Sequence, residues 1–278
     1  MSSITTFDDI SQFQSEFWSV SGFLENCAKF CKENPKKSIE VARDVSGWAE
    51  KCLSEKSSTH TSFSKFNDTL GTVADSFSLV SLLPDIRKVI NSVEESVSQF
   101  RAYFGERDIS SDQPVTKSDL AIAAASLMDD AAGLICDSCD SIAFLHDINV
   151  IDMSENLSTV KAVGTGSGMF SSLKGIYDHG ASLYELKNQP EEAHNEIDHQ
   201  IADLKEKNHW MELTQNTAIF AFCFFSFIGT VASVAVSSTV LLTLSSIALV
   251  TTIASYFIKE NAHQMQQNLI GRIVHQIN

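Results

Sequence analysis

Glycine and proline are scarce, 12 and 4 of 278 residues, about half their usual combined share. So few turn formers exclude a sandwich or barrel of many short strands, and the chain reads as all-α. Charge is missing in one place. Of 20 basic and 35 acidic residues, none falls within residues 213–258, which excludes an ordinary water-soluble globular protein. Excess positive charge is missing throughout. At a net charge of −15, with no basic cluster longer than Lys36-Lys37 or Arg87-Lys88, the chain repels phosphate backbones, so no nucleic acid is expected as a partner. The first six residues, Met1 to Thr6, hold neither a basic residue nor an apolar run. They are not a cleaved secretory signal, and read as a disordered start or as an unfolded bacterial export signal.

Six cysteines include the pair Cys136 and Cys139, without a matching second pair or a βαβ setting for zinc or redox chemistry. They read as small apolar core residues in a reducing compartment.

What is present is helical periodicity. Phe7, Ile10, Phe13, Phe17, Val20, Leu24, Cys27 and Cys31 share one helical stripe that Thr6 would cap. Asn34 and Pro35 open a second helix with Ile39, Ala42, Val45, Trp48 and Cys52 facing inward. After a Ser/Thr loop over 54–61, a third helix carries Phe63, Phe66, Leu70, Val73, Phe77 and Val80 on its inner face. Pro84 ends it and begins another, with Ile86, Val89, Ile90, Val93, Val97, Phe100 and Phe104 on one side. Residues 105–115 read as a surface loop. Thr116 and Asp119 form a capping box before a helix reaching Leu145. Ser154 would cap the next helix, which the glycines at 164, 166 and 168 kink or interrupt.

The chain therefore divides into a start (1–6), a soluble amphipathic helical bundle (7–189), a coiled-coil-like helix (190–212), an uncharged segment (213–258) and an amphipathic tail (259–278). As one helix the uncharged segment would run roughly 69 Å at ~1.5 Å per residue, over twice a bilayer core. It divides into spans 218–236 and 240–258 with a turn at Ser237, Ser238 and Thr239, a transmembrane hairpin. Phe220, Phe224, Phe225, Phe227, Val231 and Val236 of the first span would lie in lipid, with Leu241, Leu242, Leu244, Ile247, Leu249 and Ile253 of the second. Small residues, Gly229 and Ala232 against Ser245 and Ala248, would let the two helices approach closely. Lys205 and Lys207 before the hairpin and Lys259 and Arg272 after it put both ends on the cytosolic side.

Motifs for chemistry are absent. The Gly164-x-Gly166-x-Gly168 run lacks the strand and the Gly-Lys-Ser/Thr ending of phosphate loops, and reads as a joint or a close helix approach. There is no Gly-x-Ser-x-Gly elbow. His179, His194, His199 and His209 read as solvated, since His194 and His199 lie five apart, off a common helix face. No catalytic residue, metal or cofactor is expected.

Two adjacent spans with a minimal uncharged connection, cytosolic flanks and a Ser/Thr-rich start resemble the inclusion-membrane proteins of chlamydial bacteria. That resemblance implies export by a type III secretion system, insertion into the membrane of a host-derived vacuole, and display of the soluble part to host cytosol. A fainter one is to the peroxisomal membrane-elongation family, peroxin eleven. It rests on the run from Cys136 to Leu145 and on the stretches Leu173 to Asp178 and Tyr184 to Leu186, and it implies a curvature-linked amphipathic helix, here 86–104. The expected function is a non-enzymatic integral membrane protein, a tether, scaffold or membrane-shaping factor. Its partners would be the lipid bilayer and a protein docked on an exposed helical face, or a second copy of the chain. The alternative is a helical pore-former that inserts its hydrophobic hairpin.

Overall fold

The computed structural model describes residues 17–53, 58–104, 115–188 and 196–277. Among these the chain forms seven α-helices and no strand: α1 (Val20–Glu33), α2 (Pro35–Cys52), α3 (Ser58–Tyr103), α4 (Lys117–Asp147), α5 (Leu157–Asn188), α6 (Glu196–Val231) and α7 (Ser238–Ile277). Successive helices pack side by side from α3 to α7, and α2 closes the circuit by touching both α3 and α7. The expected start over 1–6, its Thr6 cap, the stripe residues Phe7, Ile10 and Phe13 and most of the 105–115 loop lie outside the described residues.

Several helix ends follow the expected chemistry. The Thr116 hydroxyl accepts the Asp119 amide at 3.3 Å while Asp119 accepts the Thr116 amide at 2.7 Å, so the capping box closes. Pro35 stands at the first turn of α2, where its missing N–H costs nothing.

Others do not. The first stripe is broken at Ser19, which is extended and caps α1 by accepting the Gly22 amide at 3.1 Å. Residues 58–61, expected in a loop, belong to α3, which also runs through Pro84. Pro84 cannot donate to Val80, but Val80 is an exposed residue, so water can satisfy the orphaned carbonyl. Ser154 does not cap α5. Its amide and hydroxyl both turn back to Asp152, and the helix begins at Leu157 and continues unbroken through the glycine run.

That glycine run is a packing device. A Cβ on Gly164 would lie 3.0 Å from Cys139 Cβ on α4, and one on Gly168 would lie 3.0 Å from Cys223 Sγ on α6. The two glycines let α5 sit close between its neighbours.

The largest departure is in which faces point inward. The buried residues of α2 are Asp44, Ser46 and Gly47, whereas Val45 and Trp48 of its expected core face are exposed. On α3, Ala74 and Ser78 are buried, while Phe66, Val73 and Val80 are exposed. Further along, Leu83, Ile86, Ile90, Val93, Val97, Phe100 and Phe104 recur at steps of three and four, and every one is exposed. Helix contacts run instead through small and polar groups. Ser92 donates to Asp130, Ser96 to the Ala123 carbonyl at 3.3 Å, and Ser81 to Asp137 at 2.6 Å. Small side chains let helix axes approach, and hydrogen bonds hold them where apolar burial does not. At the centre of this polar seam Lys36 Nζ donates to Ser78 at 2.8 Å and lies 3.4 Å from Asp137 and 3.9 Å from Asp140.

Candidate membrane hairpin and its polar cuff

Among the described residues two helices are long and apolar enough to cross a membrane: His199–Val231, whose most apolar 18 residues have a mean hydropathy of 1.3, and Ser238–Gln267, where the corresponding value is 1.9. Both belong to longer helices. The coiled-coil-like segment joins the first span as α6, and the expected tail continues the second as α7. The connection covers residues 232–237, earlier than the expected turn. Ser233 there takes a positive φ of 52°. Ser238 and Thr239 already lie in α7, whose first turn is anchored where the Val240 and Leu241 amides donate to the Ser237 carbonyl at 3.0 and 3.2 Å.

Of the residues expected in lipid, Phe224, Phe225, Val231 and Ile247 are exposed and Leu249 is buried. Phe220, Phe227, Val236, Leu241, Leu242, Leu244 and Ile253 are half-buried. In the most apolar stretches of the two helices only 11% and 28% of residues are buried. A core helix pair of a soluble bundle would be covered on nearly all sides. A Cβ on Gly229 would face Val236 at 3.1 Å, within the connection, and Ala232 is exposed there. Ala248 is buried in α7, and Ser245 and its neighbour Ser246 bond Asp44 of α2.

Helices α1 and α2 lie along α7. From α2, Lys51 Nζ donates to Ser238 Oγ at 2.5 Å and Trp48 Nε1 to Ser246 Oγ at 2.9 Å, while Ser246 donates to Asp44 at 3.2 Å. Burial pushes the Asp44 carboxyl above its ordinary pKa despite those serine bonds. From α1, Phe23 stacks on Phe257 with ring centres 5.4 Å apart, and Lys29 pairs with Glu260 at 2.8 Å.

The uncharged run is closed at its base by a ring of polar groups. Glu212, the last charge before it, pairs with Lys259, the first after it. Ser255 donates to Glu212 Oε1 at 3.2 Å and to Asn208 Oδ1 at 2.7 Å. On the other side of the carboxylate, Glu212 Oε2 is 3.1 Å from His179 Nδ1, which is 3.2 Å from His209 Nδ1. Burial works to raise the Glu212 pKa, but the bonded Lys259 outweighs it and holds the carboxyl below its ordinary value. Burial lowers the His179 pKa against the pull of Glu212. His179 and His209, read from the sequence as solvated, thus meet in one cluster, while His194 lies outside the described residues. The legible signal was the i, i+3 spacing of His209 and Glu212 on a single helix face. Comparison with protein-family models, curated proteins and solved structures finds no match for this chain.

Proposed function

We propose that the protein is a non-enzymatic tether, scaffold or membrane-shaping factor, held in a bilayer by the α6–α7 hairpin and presenting an acidic helical body to the cytosol. The observation that carries this reading is how few residues of the two apolar helices are buried, 11% and 28% in their most apolar stretches. Surface that apolar is costly in water and favourable in hydrocarbon, at about 25 cal/mol per Å². The exposed apolar stripe of α3, from Leu83 to Phe104, supplies the helical face for a protein partner. The architecture that resembles inclusion-membrane proteins fits the same reading.

The test is flotation of the full chain, and of a chain lacking residues 213–258, expressed in bacteria without detergent. The full chain should rise with lipid and the deletion should stay behind. A pore-former that hides its hairpin until triggered is the second reading, and the polar bonds from Asp44, Trp48 and Lys51 to the second span favour it. Such groups are costly in hydrocarbon, so α2 would have to leave α7 on insertion. A full chain that stays soluble and folded, then releases dye from liposomes, would replace the tether with the pore-former.

A further inference from the structure

We propose that His179, His209 and Glu212 form a binding site for one divalent transition-metal ion, with zinc the best fit. Their ligand atoms all lie within 4.8 Å of one another. His179 Nδ1 lies 3.2 Å from His209 Nδ1 and 3.1 Å from Glu212 Oε2. Zinc bonds of about 2.0–2.1 Å at tetrahedral angles place neighbouring ligand atoms about 3.3 Å apart. Two edges already match that spacing, and closing the third from its present length, at most 4.8 Å, gives three corners of a zinc tetrahedron, with the fourth left to water.

Hydrogen bonding alone serves this arrangement poorly. If His179 Nδ1 carries the proton, that proton must be shared between Glu212 Oε2 and the His209 lone pair. If His209 carries it and donates to His179, the His179 lone pair faces the carboxylate. A cation accepts all three lone pairs at once. Two imidazoles with one carboxylate suit zinc and its neighbours rather than magnesium or calcium, which take oxygen.

The surroundings are those of a supported ligand set. His209 and Glu212 stand one helical turn apart on α6, and His179 comes from α5. Lys259 and Ser255 from α7 occupy the second carboxylate oxygen, leaving Oε2 aimed at the imidazoles. All three ligands are half-buried, so an ion can enter. A bound ion would cross-link α5 to α6 and, through Glu212, hold α7 at the base of the hairpin. The site stands whether or not the hairpin enters a bilayer.

The test is titration of the metal-stripped full chain with Zn²⁺ by calorimetry, and with Co²⁺ by visible absorption, beside H179Q and H209Q. A single tight equivalent is expected in the wild type and at least 10-fold weaker binding in each variant whose circular dichroism matches wild type. The Co²⁺ form should show tetrahedral d–d bands without a thiolate charge-transfer band. Undiminished Zn²⁺ affinity in a folded variant would overturn the proposal. So would a thiolate band in the wild type, which would assign the ion to the six cysteines and needs no variant to be read.

Discussion

Asp75 lies beside the polar seam of Lys36, Asp137 and Asp140, and replacing it with Asn should stabilise the protein at neutral pH. Burial, with the negative charge of Asp140, pushes its carboxyl from 3.8 to about 6, against the opposing charges of Arg43 and Lys36. The native state therefore holds a proton that the unfolded chain releases. For an acid with a raised folded pKa, stability falls as pH climbs from about 4 to about 6, and the loss persists above that. At about 1.36 kcal/mol per pKa unit the full shift would cost about 3 kcal/mol. Solvent reaches part of the group, and screening brings the expected cost down to about 1–2 kcal/mol. Asn keeps the shape and removes the charge. Asp75→Asn should then raise Tm at pH 7 by roughly 2–4 °C for each kcal/mol, and leave it nearly unchanged at pH 4, where Asp75 is already protonated. Melts followed by circular dichroism in one detergent at both pH values read this out. An equal shift at both, or a lower Tm at pH 7, would refute the electrostatic account of the seam.

Thr116→Ala should cost about 1 kcal/mol by opening the capping box, seen as faster hydrogen exchange confined to the first turn of α4. Gly168→Leu should lower Tm, because its Cβ starts 3.0 Å from Cys223 Sγ and overpacking costs about 1–3 kcal/mol. Gly180→Ala should instead raise it by about 1 kcal/mol through helix propensity, since a Cβ there meets nothing within 4 Å; the two melts together check whether close approach governs α5. On the pore-former reading, the double change Trp48→Phe with Lys51→Ala removes two of α2's bonds to the second span, and should increase the fraction that floats with liposomes. Unchanged flotation would show that α2 does not restrain the hairpin.

The all-helical class was legible because turn formers are few, and the two apolar helices because charge vanishes over 213–258. The capping box was legible because Thr116 and Asp119 interact within one turn. Inward faces were not. Periodicity locates an apolar stripe on a helix but says nothing about which side the neighbours occupy, and here serines, Asp44 and glycines took the contacts that Val45 and the α3 stripe were expected to make. Pro84 failed as a stop because helix on both sides and solvent around the exposed Val80 tolerate one missing bond. The histidine cluster escaped because His179 reaches α6 through tertiary packing, 30 residues from His209.

The Glu212–Lys259 pair fixes more than the base of the hairpin. With the ends of the uncharged run pinned together, its arms cannot slide past one another. Residues 213–231 and 238–258 then measure about 28 Å and about 31 Å at ~1.5 Å per residue, against a hydrocarbon core of about 30 Å. On the proposed membrane reading the pair is a depth gauge. A thicker or thinner bilayer would have to be met by deforming the lipid or tilting both arms as a unit, which would give the protein a preference for membranes by their thickness, without any lipid being recognised.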